Sequence, residues 1–215
     1  MTQLSQSVTL EFDNDVALIR IDNPPVNALS HHVRQGLLDG MTQAENSDAT
    51  AIVVICEGRT FIAGADITEF SGPPKPPSLQ EAQDAMENCS KPVIAAVHGT
   101  ALGGGLEVAL CAHYRVGVSE SKYGLPEVKL GLLPGAGGTQ RLPRVTGAAQ
   151  ALQMMTSGDP ISAGDALECG LIDEIVEDLE SGAVAFARRA VAEGLPLLRI
   201  RDRDDKLTGT NSSLF

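Results

Sequence analysis

The sequence predicts a single α/β domain, and three observations carry that expectation. Two apolar runs of strand length, AIVVIC (51–56) and PVIAAV (92–97), are separated by stretches whose apolar residues recur at helical spacing. Glycine is frequent, at 22 of 215 residues, as tight strand-to-helix turns require. Hydrophobic residues make up 43% of the chain, enough for one sizeable core, while the length leaves little room for two.

The elements follow in order. SVTLEF and VALIRID read as a hairpin around the turn residues Asp13, Asn14 and Asp15, ended by Pro24 and Pro25. Ser30 is a good helix N-cap, and Val33, Leu37, Leu38, Met41 and Ala44 form an apolar stripe that predicts a helix to about Asn46. AIVVIC is a buried strand. SGPPKPPSL (71–79) is too rich in proline for a regular element, so it reads as a loop before a helix through Glu81 to Glu87. PVIAAV is the next strand, GGGLEVALCA a helix, and YRVGV a strand. A long Gly/Pro-rich segment from Gly124 to Gly138 precedes helices at Ala148 to Met155 and Ser162 to Glu168. Ser162 with Asp165 resembles a capping box closed by Gly170, and LIDEIV is the last predicted strand. RIRDRDDKLTGTNSSLF, charged and then small and polar, predicts a solvated tail, so the chain divides into a core at 1–192 and a polar segment at 193–215.

Bulk properties exclude several functions. A net charge of -12, with only 16 Lys and Arg, opposes a nucleic-acid or acidic-membrane surface. Cys56, Cys89, Cys111 and Cys169 are widely spaced without a CxxC pair, which fits reduced thiols rather than a disulfide framework or zinc site. The start lacks signal-peptide character and no run is long enough to span a membrane, so a soluble, cytoplasmic protein is expected. No P-loop is present, and GxGxxG fails after Gly103 at Val108 and after Gly135 at Gln140. GxSxG and HExxH are absent, and His31, His32, His98 and His113 have no metal spacing.

What remains is a misfit. HGTALGGGLEVAL (98–110) sets three glycines before an apolar run and then places Glu107 inside it, although glycine disfavours helix and a carboxylate is costly to bury. A strand entering a helix through a tight turn leaves the first N–H groups without intrahelical partners, ready for an anion or a developing oxyanion. FIAGADI (61–67) is a second such turn after AIVVIC. Two donors would form an oxyanion hole, although small residues also serve close packing. Glu127, in GLPEVKLG, stands 20 residues after Glu107 and projects from a loop near a helix start. Two carboxylates sharing one cavity would separate into acid and base; the competing reading puts each on an exposed face.

Taken together, TFIAGADITEF, KPVIAAVHGTALGGGLEVAL, YGLPEVKLGLLPGAGGTQRLPRVTG and SAGDALECGLIDEIV resemble the crotonase (enoyl-CoA hydratase/isomerase) family over about residues 8–192. The proline-rich loop and AFARRAVAEG look most like the hydratase part of bifunctional enoyl-CoA hydratase/3-hydroxyacyl-CoA dehydrogenases. The resemblance implies a spiral of repeated ββα units and hydration of trans-2-enoyl-CoA to 3-hydroxyacyl-CoA in fatty-acid β-oxidation or a related degradation. It implies Glu107 and Glu127 as catalytic residues, Ala65 and Gly104 as the oxyanion hole, and Ala63, Asp66 and Ile67 as further acyl-CoA contacts. No cofactor or metal is expected beyond the coenzyme A of the substrate, and no nucleic-acid or membrane partner; the expected assemblies are a trimer-like homo-oligomer or contact with a dehydrogenase domain. Arg59, Lys75 and Lys91 are the cations offered against the CoA phosphates. Isomerisation of 3-enoyl-CoA, which Glu127 alone could serve, and a catalytically silent CoA-binding module are the alternatives.

Overall fold

The computed structural model describes residues 1–66, 68–69, 72–73 and 75–207. Ten strands are present among them: β1 (Thr2–Gln3), β2 (Val8–Asp13), β3 (Val16–Ile21), β4 (Ala51–Cys56), β5 (Val93–Val97), β6 (Thr100–Leu102), β7 (Tyr114–Gly117), β8 (Lys122–Gly124), β9 (Ile161–Ser162) and β10 (Glu174–Ile175). The helices are α1 (His31–Glu45), α2 (Leu79–Glu87), α3 (Gly104–Ala109), α4 (Gly138–Thr146), α5 (Ala148–Ser157), α6 (Ala163–Glu168) and α7 (Leu179–Ala192), with 3₁₀ turns at Pro126–Leu130 and Ile200–Asp202.

Local chemistry explains the elements that the sequence announces. β2 and β3 pair antiparallel, with the turn reduced to Asn14 and Asp15; Asn14 takes φ 52°, a left-handed conformation asparagine tolerates. Ser30 caps α1 by accepting from the Val33 N–H, and Asn46 closes it, as expected. Ser78 with Glu81 and Ser162 with Asp165 both form capping boxes, which start α2 and α6.

A larger sheet runs in the order β1-β2-β3-β4-β5-β7-β10, and β6, β8 and β9 form a smaller one. β3, β4, β5, β7 and β10 are parallel, so β4 is buried on both faces. Ile52, Val54 and Cys56 join the core beneath α1 and α2, whereas Ala51, Val53 and Ile55 pack with Ala183, Val184, Phe186 and Ala187 of α7. The period of two along AIVVIC thus feeds two cores at once.

The spiral arises because successive turns repeat one pattern. β5 lies in the larger sheet, β6 in the smaller, and α3 follows; β7 and β8 repeat this before the turn at 126–130 and α4. Parallel bridges Leu29–Ala65 and Ala63–Leu102, with the β6–β8 ladder, carry the smaller sheet's stack through an earlier turn. Segments after these stacked rungs therefore fall side by side: Gly64 and Ala65, Gly103 and Gly104, then Pro126 and Glu127.

Several expectations needed correction. Glu127, expected on a loop near a helix start, lies in the 3₁₀ turn within the Gly/Pro-rich segment, and α4, which the sequence did not announce, follows that segment with Pro143 inside it. LIDEIV contributes only the two residues of β10, and α7 lies beyond it. The chain after α7 is not a free solvated tail as far as Leu207. Ile200 is 1% exposed, and Lys206 Nζ donates to the Cys169 carbonyl at 2.6 Å. Leu195 and Leu198 pack against the core and Ile200 anchors the charged run that follows, which composition alone does not reveal. Residues 208–215 of the predicted tail lie outside the described residues.

Candidate active site

The three glycines at 103–105 have different reasons to be glycine. Gly103 takes φ 54°, ψ -126°, a conformation closed to other residues, and its N–H donates to the Gly124 carbonyl at 2.9 Å. A Cβ there would also stand 3.0 Å from Glu127 Oε1. Gly105 is set by close packing, because its Cβ would lie 2.0 Å from the Ile62 carbonyl oxygen. Gly104 opens α3, so its N–H precedes the first intrahelical bond, which runs from Glu107 N–H to the Gly103 carbonyl at 3.0 Å. Its Cβ position is 3.8 Å from the Ala65 nitrogen. The two turns that the sequence singled out therefore meet at their backbones.

Glu107 faces inward from α3 and is 2% exposed. Its Oε1 accepts from the Ala136 and Gly138 N–H groups, each at 2.8 Å. Gly138 opens α4, so the carboxylate also sits against a helix N-terminus. Burial raises the Glu107 carboxyl above its ordinary value, and the two amides pull in the opposite direction. Both amide bonds go to Oε1, which leaves Oε2 open to another partner.

Glu127 comes from the 3₁₀ turn at 126–130, which follows β8 and begins with Pro126. It is half-buried, and among the described residues its Oε2 is buried without a hydrogen-bond partner. Burial is the main cause that raises its carboxyl above the ordinary value, and the charge of Glu107 adds to it. Glu127 thus lies close enough to feel the charge of Glu107, and Gly103 stands between the two, capping α3 ahead of Glu107 and meeting Glu127 Oε1 at its Cβ position. Such a pair can hold a proton on one member while the other accepts one.

An open cavity of about 770 Å³ adjoins this centre and is lined by Leu29, His31, Arg34, Ala65, Asp66 and Lys75, among others. Neither Glu107 nor Glu127 lines it; Leu29 and Ala65 both line the cavity and both lie against the Gly104 Cβ position. Ala63 is bridged to Leu102 in the stacked rungs, and Asp66 Oδ1 accepts from the Thr68 N–H at 3.0 Å and its hydroxyl at 2.7 Å. Ile67 lies outside the described residues. Of the three offered cations, Lys75 borders the cavity, whereas Lys91 Nζ donates to the Ala44 and Ser47 carbonyls at the end of α1, and Arg59 is not in the lining.

Sequence reasoning missed three contributors. Leu29 approaches within 2.9 Å of the Gly104 Cβ position and lines the cavity together with Ala65. The Ala136 and Gly138 amides hold Glu107, and the only signal for them is the glycine run LPGAGG, since a backbone donor has no side chain to read. Among the described residues, no group of three or more His, Cys, Asp or Glu could hold a metal, and no helix is long and apolar enough to cross a membrane.

Residues 11–199 match the family model described as enoyl-CoA hydratase/isomerase. The chain is 48% identical over 187 residues to a peroxisomal bifunctional enzyme of Danio rerio, covering 86% of this chain but 26% of that protein. It is 41% identical to a probable enoyl-CoA hydratase of Bacillus subtilis, covering 86% of this chain and 77% of the relative. The crystal structure of an enoyl-CoA hydratase from Bacillus anthracis superposes with a TM-score of 0.80 at 32% identity, over 87% of this chain and 77% of that one. The chain thus spans about a quarter of the length of the bifunctional relative.

Proposed function

The chain belongs to the enoyl-CoA hydratase/isomerase family, and from that premise we propose that it hydrates trans-2-enoyl-CoA to 3-hydroxyacyl-CoA in fatty-acid β-oxidation or a related degradation. The observation that carries this reading is the pairing of two inward carboxyls, Glu107 and Glu127, both raised by burial, beside the meeting point of the Gly104 and Ala65 backbones.

The thioester carbonyl oxygen accepts from the Ala65 and Gly104 N–H groups, which become more effective as charge grows on that oxygen during addition at C3. Water lies between the glutamates. Glu107, with Oε1 fixed by two amides, takes the proton from the attacking water through Oε2. Glu127, whose Oε2 is buried without a partner among the described residues, carries the proton delivered to C2. One proton passes from water to Glu107 and one from Glu127 to C2, so one water is added overall, and the carboxyls are reset when Glu107 releases its proton and Glu127 regains one by exchange with solvent water. Ala63, Asp66 and Ile67 contact the acyl-CoA around the first donor, and Lys75 at the neighbouring cavity offers charge to its phosphates. The reaction requires no further cofactor or metal. The hydratase core is assigned to residues 1–192, with 193–215 appended.

Loss of enoyl-thioester absorbance from crotonyl-CoA tests the reading directly. Turnover by the parent chain is expected, and Ala65→Pro, which deletes one donor, should slow it by about 10² to 10³. A parent chain that binds crotonyl-CoA without consuming it would return the reading to a silent CoA-binding module.

A further inference from the structure

The backbone of Ala136 is gripped on both sides. Its N–H donates to Glu107 Oε1 at 2.8 Å, while its carbonyl accepts from Gln83 Nε2 at 2.9 Å and from Arg141 Nη1 at 3.2 Å. Arg141 is 6% exposed, and its Nε and Nη2 fork onto Glu87 Oε1 and Oε2 at 3.1 and 2.8 Å. Glu87, on α2, is itself 1% exposed. Arg201, from the 3₁₀ turn beyond α7, places Nη1 3.4 Å from the same Glu87 Oε2 and 3.8 Å from Asp84. A continuous chain of polar contacts therefore runs from the C-terminal segment through α2 and α4 to Glu107.

Stability gives little reason for this arrangement. A buried ion pair loses much of its Coulombic gain to desolvation, and apolar residues of similar volume often do as well or better. Geometry gives a reason. The planar guanidinium is the one side chain that can fork onto a carboxylate and still offer a donor to a carbonyl.

We infer that Arg141, held by Glu87 and assisted by Gln83, is a positioning residue: it fixes the Ala136 backbone so that its N–H holds Glu107 Oε1 and leaves Oε2 aimed at the reacting water. The inference deepens the hydratase reading and rests on it for the identity of the reaction. Arg141 acts through Ala136 and touches no substrate.

The test uses the full chain with Arg141→Lys, which keeps a cation against Glu87 but cannot fork and reach the carbonyl together. The expected result is a fall in kcat on crotonyl-CoA of about 10- to 100-fold with KM nearly unchanged, the signature of a misplaced catalytic group rather than lost binding. The NMR signals of the Ala136 and Gly138 amides should move upfield and exchange faster. Gln83→Leu should show the same pattern more weakly. If Arg141→Lys folds poorly, the paired variant Glu87→Gln/Arg141→Met removes both charges at similar volume and is read per folded molecule. Parent-like kcat with unmoved amide signals, whatever happens to Tm, overturns the inference. Loss of turnover in Glu107→Gln alongside parent-like Arg141 variants sinks the positioning role alone. A parent chain without turnover sinks the hydratase reading, while the amide signals still decide whether Arg141 fixes the Ala136 backbone.

Discussion

Glu107 and Glu127 differ in the walls that present them. Glu107 sits on α3, whose close approach to Ile62 admits only Gly105, with its carboxylate tied to two amides and braced through Ala136 by Arg141. Glu127 sits on a single 3₁₀ turn in which no residue is buried, and the chain that follows it exposes Leu130, Leu132 and Leu133. One carboxyl is held by a packed layer and the other rides on an edge. The contrast suits the chemistry assigned to them. In the proposed reaction, the carboxyl tied at Oε1 presents its other oxygen to water at a fixed angle, whereas the carboxyl with an unpartnered oxygen is free to align with C2 once the substrate fills the space.

The largest effect should come from the carboxyls themselves. Glu107→Gln and Glu127→Gln should each slow hydration by about 10² to 10⁴ without loss of the fold, because a glutamine of nearly equal size keeps an oxygen toward the amides but cannot transfer a proton. Steady-state rates on crotonyl-CoA check this. Two variants with parent rates would remove the functional side of the comparison, and loss in Glu127→Gln alone would favour isomerisation.

Much of the packed wall was legible in the sequence, and most of the loose one was not. The capping at Ser30 and Ser162 and the apolar run AIVVIC declared themselves because they satisfy local needs within a few residues. Glu107 and the glycines before it declared themselves by violating those needs. β6, β8 and β9 are two or three residues long and exist only through neighbours in other turns of the spiral, so they carry no period of their own. α4 was hidden by Pro143 and by the glycines at its start, and α7 by a buried face in which Ala183, Ala187 and Ala190 leave Val184 and Phe186 as the only large residues. The clamp on Glu107 was illegible because its last link is a backbone amide.

A second prediction reads the packed side by pH. His113, in the connection from α3 to β7, is fully buried, and its Nδ1 accepts from the Val93 N–H at 3.0 Å. Burial holds the imidazole down to about 4 from 6.5. Below 6.5 the unfolded chain binds a proton that the folded chain refuses, so this stability is fully present above 6.5 and is lost as pH falls toward 4. The loss amounts to about 3 kcal/mol. His113→Asn keeps an acceptor for Val93 and does not titrate, so its unfolding free energy should fall less steeply over that window. Denaturant curves at several pH values check this; parallel parent and variant curves would contradict the assignment.

Next comes the approach of α3 to the rung before it. Gly105→Ala places a methyl 2.0 Å from the Ile62 carbonyl oxygen, where backbone rather than a flexible side chain must yield. Overpacking of that kind should cost about 2 kcal/mol or more, visible as a lower denaturation midpoint. An unchanged midpoint would mean that α3 can slide, and Glu107 would then be no more fixed than Glu127.

The smallest expected effect lies on the other wall, and it completes the contrast. Leu133 is 81% exposed, so replacing it with serine removes almost no buried surface and leaves no cavity. Stability should stay within about 0.5 kcal/mol of the parent, measured beside Gly105→Ala under the same conditions. A clear fall in stability would show that the segment after Glu127 packs as a structural wall, and the difference between a braced base and a lightly held acid would have to be abandoned.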